Sequence, residues 1–313
     1  MKGATAKAQK AIYDGEKPDY VPVYADEKFF KAYLHQQVER TRSTGRFGTS
    51  LKSIRNAKEL ARLEMKPGQK LLDCGSGGGI LINQLVALYG VQGHGLDISS
   101  LALKRSKAAG AKSIRYKQGV LEAIPWPANS FDAVVSFDVL EHVEGKAQAL
   151  AEIVRVLKPG GKALVYAVSS REALTWHWWL RLISFGRLGK DLEAGHLPEL
   201  LASPYVTREQ VEAAGGRILR LSYLHSFFSL IMDEAIAKLG ARRHAAMKAA
   251  SAKDGAVTLP TGGKAYQLLQ VLEPLLDLLE WPWKLFGLSN GFFVLIEKPF
   301  SASQAPKRPK MRA

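Results

Sequence analysis

A single cysteine, Cys74, stands in a chain of 313 residues, so no intramolecular disulfide forms and no cysteine-based zinc cluster can assemble. Long apolar runs are missing too: no stretch reaches the ~18 uncharged apolar residues that a membrane-spanning helix needs. A positively charged start leading into an apolar segment, the mark of a secretory leader, is also absent. Together these absences predict a reducing, cytoplasmic setting, with peripheral attachment to a membrane left open. Acidic residues are scarce against basic ones, 29 against 44, and the formal charge is +15. A field of that sign attracts polyanions, whether nucleic acid, anionic lipid headgroups or a phosphorylated substrate. Part of the excess lies at the ends, in Lys2, Lys7 and Lys10 and again in Lys307, Arg308, Lys310 and Arg312. A solvated tail explains those charges equally well. No internal repeat is found.

What the chain does have is apolar material, 47% of its residues, enough for a substantial core. The spacing predicts helices over Asp26–Arg42 and Leu51–Glu64. From about residue 65 onward, short aliphatic runs alternate with amphipathic stretches, as βαβ units do. Strands are expected at Lys70–Cys74, Gly93–Leu96, Ser113–Lys117, Phe131–Phe137 and Lys162–Val168, with helices Ile80–Leu88, Ser99–Ala109 and Lys146–Leu157 between them. Lys158-Pro159-Gly160-Gly161 reads as a helix stop and turn. The fold class is therefore α/β, a doubly wound, mostly parallel, Rossmann-like sheet. Residues 170–205 are Trp-rich and loop-like. A helix at Thr207–Ala214, a strand at Arg217–Tyr223, a helical insertion and a last strand at Gly291–Glu297 follow. The expected organisation is an N-terminal helical cap (1–64), the core (65–225), the insertion (226–289), a returning core strand (290–299) and a basic tail (300–313).

The segment Asp73-Cys74-Gly75-Ser76-Gly77-Gly78-Gly79-Ile80 runs from a strand end into a helix start and places four glycines in five positions. Such a turn lets backbone approach a ligand and aims N–H groups at it from a helix N-terminus. A dinucleotide fingerprint begun at Gly75 would need glycine where Ile80 stands, and the Gly-Lys-Ser/Thr of a Walker loop is missing. Asp97 follows 24 residues after Asp73, at the tip of the next strand, where a carboxylate can accept both ribose hydroxyls of a nucleoside.

Asp73 to Gly79 resembles motif I of class I methyltransferases. Gln118–Pro127, Asn129–Ser136, Phe137–Val143 and Arg155–Gly161 resemble successive segments of the ubiquinone and menaquinone methyltransferase group, in the same order. A fainter echo extends to Gly195-His196-Leu197 and Thr207–Gly215. The resemblance implies S-adenosyl-L-methionine as cofactor, with Asp73, Gly75, Gly77 and Gly79 around its methionine part and Asp97 on its ribose. Ser76 in the same loop and Phe137 at the end of the fourth strand are expected to line the cofactor as well. One departure stands out: the family usually places an acid after the glycine at 119 to bind the adenine amino group, and here the residue is Val120. Either Glu122 reaches round, or Ile98, Val120 and Leu121 hold adenine through apolar contacts and backbone groups; the second is favoured.

Methyl transfer from a sulfonium needs a base only when the acceptor arrives protonated. His142, just past the fourth strand, is the first candidate and His196 the second, although a histidine in Leu140-Glu141-His142-Val143 can equally be a helix-start residue bonded to backbone. Amino-group methylation of DNA is not expected, since Ser136-Phe137-Asp138-Val139 occupies the place of its Asn/Asp-Pro-Pro-aromatic run. The one cysteine lies in the glycine loop, out of place for attack on a pyrimidine ring. Nucleic acid is therefore not the expected partner, although ribose or RNA targets stay open. No Asp/Asn pair or His cluster completes an oxygen-rich site around Asp138, so no metal is expected.

Within the insertion, Gln267, Gln270, Glu273, Asp277, Glu280 and Lys284 form one narrow polar stripe. The rest, from Leu268 to Phe286, is more apolar than a surface helix requires, and Pro274 is expected to kink the helix or start a new one. Two readings stand side by side: packing within the protein or as a dimer, and a lid for a lipophilic acceptor such as a prenylated ring or lipid, anchored to an anionic membrane surface. The sequence thus points to O- rather than C-methylation of a lipophilic small molecule. A catalytically silent membrane-associated protein on the same fold and a basic RNA methyltransferase are the alternatives.

Overall fold

The computed structural model describes residues 27–48, 50–185, 198–236 and 263–300. Helices α1 (Glu27–Thr44) and α2 (Leu51–Ala61) precede the sheet, α2 with Ser50 accepting from Ser53 N at its N-cap. The core alternates β1 (Lys70–Cys74), α3 (Ile80–Tyr89), β2 (Gln92–Asp97), α4 (Ser100–Ala109), β3 (Arg115–Gln118), β4 (Phe131–Phe137), α5 (Lys146–Val156) and β5 (Leu157–Val168). After it come α6 (Trp176–Ile183), α7 (Pro204–Ala213) and β6 (Arg217–Leu224), then helical residues 228–236, α8 (Gly263–Leu279), α9 (Trp281–Leu285) and β7 (Gly291–Glu297). The seven strands form one sheet in the order β3-β2-β1-β4-β5-β7-β6. All pairs are parallel except those of β7, which runs antiparallel to both β5 and β6.

Successive side chains of a strand leave by opposite faces, and here both faces are covered. Leu72, Val134, Val165, Phe292 and Val294 pack with α5 and α7 on one side. Leu71, Val135, Leu164, Phe293 and Leu295 pack with α3 and with Leu60 and Leu63 on the other. The cap joins that second side: Gln84 on α3 donates to Thr41 Oγ1 at 2.9 Å and to the Phe47 carbonyl at 3.2 Å. Because β1 has β2 on one flank and β4 on the other, the chain's direction of winding reverses at β1. Ligands of open α/β sheets bind in the crevice at the carboxyl ends of such strands.

Three local expectations are corrected. Lys158-Pro159-Gly160-Gly161 is not a turn between elements but the irregular start of β5, whose register with β4 shifts between Phe131 and Ala133. Gly160 takes φ 78°, and the Phe300 ring lies where its Cβ would be. Trp176–Ile183, expected in a loop, is helix, with Thr175 as its N-cap. Pro274 begins no new helix, since α8 continues through it to Leu279; the break comes at Glu280, before α9 with Pro282 in its first turn.

Candidate active site

The carboxyl ends of β1 and β2 are tied together by the glycine loop. Gly75 and Ser76 both donate N–H to the Leu96 carbonyl, at 2.7 and 2.9 Å, and Gly79 N–H closes back onto Ser76 at 2.8 Å. Left-handed backbone at Gly75 (φ 78°) makes this possible, and a Cβ there would stand 2.2 Å from Val139 Cγ2. Gly79 has the same φ, with Ser106 Oγ 2.1 Å and the Tyr116 hydroxyl 2.6 Å from the place of its missing Cβ. The loop's N–H groups are therefore spent within the protein more than the sequence implied. Their effect is to place Asp97, whose carboxylate accepts from Gly77 N at 2.7 Å and from Ser99 N at 2.8 Å. These bonds fix the carboxylate at the tip of β2.

Asp73 is 3% exposed. Burial pushes its carboxyl up to about 7, the Asp97 charge adds to this, and a hydrogen bond from Ile82 N–H opposes it. Among the described residues no cation acts on Asp73, and a ligand carrying positive charge would supply one.

On the adenine side, Gly119 N–H donates to the Asp97 carbonyl at 3.0 Å and Gln118 Nε2 to the Ile98 carbonyl at 2.9 Å. These bonds bring Ile98 and Val120, both half-buried, beside Asp97. Leu121 opens a short 3-10 turn and its side chain enters the core, leaving its backbone as the part able to meet a ligand. Glu122 does not reach round: its Cγ lies 3.0 Å from where a Cβ on Gly145 would be, against the start of α5.

On the acceptor side, Phe137 lies against Tyr166 and Phe293, with ring centroids 6.1 and 5.9 Å away. His142 belongs to a 3-10 turn after β4 and is buried, 9% exposed. His196 lies outside the described residues. Sequence reasoning missed a different pair. Lys52 of α2 spans 86 positions to place Nζ at 2.8 and 2.9 Å from the Asp138 carboxylate oxygens and 4.4 Å from the Tyr166 ring centroid. Burial pulls the Lys52 ammonium down, but Asp138 and Tyr166 outweigh it, and its pKa is raised overall. Asp138 sits at φ 56°, in a region that costs a non-glycine residue strain and that clusters at functional sites. Beside them Glu141, fully buried, is pushed up to about 8 by burial and then by the Asp138 charge, with Lys52 pulling the other way. Among the described residues no group of three or more His, Cys, Asp or Glu gathers as a metal site would require.

Residues 72–165 match the methyltransferase domain family. The chain is 37% identical over 106 residues to phosphoethanolamine N-methyltransferase 2 of Caenorhabditis elegans, across 33% of this chain and 24% of that one. It is 35% identical to a ubiquinone/menaquinone biosynthesis C-methyltransferase of Vibrio cholerae, across 33% and 43%. A sterol 24-C-methyltransferase of Gibberella zeae is 36% identical, across 33% and 28%. Residues 72–165 are a class I methyltransferase domain. The chain spans less than half the length of these relatives. The fold extends further than the sequence likeness: Haemonchus contortus phosphoethanolamine N-methyltransferase 2 superposes with TM-score 0.51 at 21% identity, covering 88% of this chain and 60% of that one. The cyclase SpnF superposes with TM-score 0.50 at 18% identity, covering 78% of this chain and 79% of that one, so the fold by itself does not fix a reaction.

The cofactor of the methyltransferase domain is S-adenosylmethionine, and the residues fit it. When it is bound, Asp73 would offer a buried carboxylate to its cationic methionine part, Asp97 would face its ribose, and Ile98 and Val120 would give adenine an apolar edge.

Proposed function

We propose that the chain transfers a methyl group from S-adenosylmethionine to the oxygen of a lipophilic small molecule. The observation that carries this reading is the Lys52–Asp138 pair just past the end of β4, held over the buried Tyr166 ring and next to the half-buried Phe137. S-adenosylmethionine, when bound, supplies a methyl on a sulfonium whose leaving group departs neutral. Most of the rate then comes from holding the acceptor in line.

A hydroxyl acceptor must shed its proton as it attacks. Asp138, with its side chain 46% exposed, is the carboxylate at hand to take that proton, and Lys52 is the cation to hold the oxygen's developing negative charge. A carbon acceptor would gain less from such a pair. The half-buried Phe137 ring, one residue before Asp138, favours an acceptor that is itself largely apolar.

The test is incubation of the full chain with S-adenosylmethionine labelled on its methyl group, using a lipid extract in one arm and total RNA in the other. Label recovered in the organic phase, and lowered at least tenfold by Asp138→Asn with cofactor affinity unchanged, is the expected result. Label in RNA alone, or in neither arm while the cofactor binds, overturns the proposal.

A further inference from the structure

Helix α8 is mounted inside out. Its inner stripe is Tyr266, Leu269, Glu273 and Leu276, and the next position of that stripe is Glu280. Leu268, Val271, Leu275 and Leu278, at helical spacing on the opposite side, are outward, with Val271 74% and Leu278 69% exposed. Acid groups fix this orientation. Glu273, 3% exposed, pairs with both Arg55 and Lys58 of α2, and Asp277 pairs with Arg55 and Lys284. Glu280, 1% exposed, accepts from the backbone N–H groups of Phe227 at 3.0 Å and Ser229 at 2.8 Å, and from the Ser229 hydroxyl at 2.6 Å. Rotating the helix to hide its leucines would strip partners from two buried carboxylates, each loss more costly than the apolar area gained.

The exposed apolar surface continues past α8. Trp283 of α9 stacks on Phe227 at 5.7 Å, Phe227 meets Trp176 of α6 at 5.8 Å, and Trp283 Nε1 donates to the Leu174 carbonyl at 2.7 Å. One connected unit therefore carries Trp281 and Phe286 outward at 60% and 64% and Ile183 at 64%. Monomeric soluble proteins seldom leave so many large apolar groups in water.

We propose that this face, α8, α9 and α6, lies on an anionic lipid bilayer. The occupant follows from charge. The chain has formal charge +15, and the sequence leading into α8, from Lys238 to Lys264, holds six Lys and Arg against the single acid Asp254. A second copy would bring the same sign of field; an anionic membrane brings the opposite one. Depth is limited to the interface, because no helix among the described residues is long and apolar enough to cross a membrane. Arg55 and Lys58, which brace α8 from its inner side, share helix α2 with Lys52, so the helix bearing the docking face is mounted on the one that reaches Asp138. The docking does not rest on the acceptor proposed above.

Flotation of the full chain with vesicles of phosphatidylcholine and phosphatidylglycerol, against phosphatidylcholine alone, tests the assignment. Expected are binding to the anionic vesicles and, for Val271→Asp/Leu278→Asp, a loss of about tenfold or more, with unchanged calorimetric affinity for S-adenosylhomocysteine. That retained affinity shows the variant folded and separates a failure of docking from a failure of the cofactor site. Absence of binding, equal binding to neutral vesicles, equal binding by the variant, or a dimer in solution that the variant dissociates would each overturn the proposal.

Discussion

The role proposed for Asp73 turns on a charge that is costly in the folded chain until a cation arrives. Burial holds its carboxyl near 7 rather than at the ordinary 3.8, so the folded chain retains a proton there that the unfolded chain has already released. The sign follows: between about pH 4 and 7 this group removes stability as pH rises, on the order of 4 kcal/mol in total, and no more above 7. Asp73→Asn should therefore unfold at a higher temperature than wild type at pH 8 and at nearly the same temperature at pH 4, while losing at least tenfold in cofactor affinity. Calorimetry across pH gives the counterpart. Because the ligand's cation pairs with the ionised form, wild-type affinity should weaken below pH 7, approaching tenfold per unit. Glu141, raised to about 8, is protonated at neutral pH for the same reason of burial. Glu141→Gln copies that form without the ionisation that favours the unfolded chain, so its stability to urea should match wild type near pH 4, exceed it at pH 7, and gain nothing further above about pH 8.

At the scale of elements, the acids of α8 are joints rather than surface decoration. Glu280→Ala leaves the N–H groups of Phe227 and Ser229 buried without an acceptor, at a cost of about 2–4 kcal/mol in urea unfolding. Glu280→Gln, which keeps an amide oxygen there, should lose about half of that. The sequence shows that stripe clearly but not which way it faces. Its partners Arg55 and Lys58 lie more than 200 residues earlier, with separations of 215 and 222 for the bonded pairs, and periodicity holds no record of them. The same limit hid Lys52, brought to Asp138 only by the packing of the cap. Where a signal is local the reading reached residue level. Strands β1, β4 and β7 fall at the residues their aliphatic runs predict, and Gly75 to Gly79 with Asp97 form the turn that their spacing implies. Leu157 was misplaced because Lys158-Pro159-Gly160-Gly161 contains every turn-forming residue, yet a bulge against β4 lets extended chain absorb them. Trp176–Ile183 reads as loop in the sequence because an eight-residue helix is too short for a clear period, although Thr175 is a sound N-cap.

For the whole molecule, two long-range features, a charge of +15 and one apolar face, would act on a bilayer with different reach. Coulomb attraction to lipid phosphates acts over a Debye length, which shrinks from about 10 Å at 0.1 M salt to about 3 Å at 1 M. Apolar contact does not weaken with salt in that way. Affinity for anionic vesicles should consequently fall at least tenfold over this range yet settle on a residual level, and Val271→Asp/Leu278→Asp should remove the residue but not the slope. A cation set sparsely over the surface and an apolar face acting together predict this two-part curve; either one alone predicts a single limb. Cofactor affinity provides the internal reference. Asp73 is buried, where screening by salt is slight, so binding of S-adenosylhomocysteine should change by less than about twofold across the same titration. A chain whose cofactor affinity fell in parallel with its vesicle binding would instead have a cleft governed by the surface field, and the separation of the two sites argued from α8 and the glycine loop would be lost.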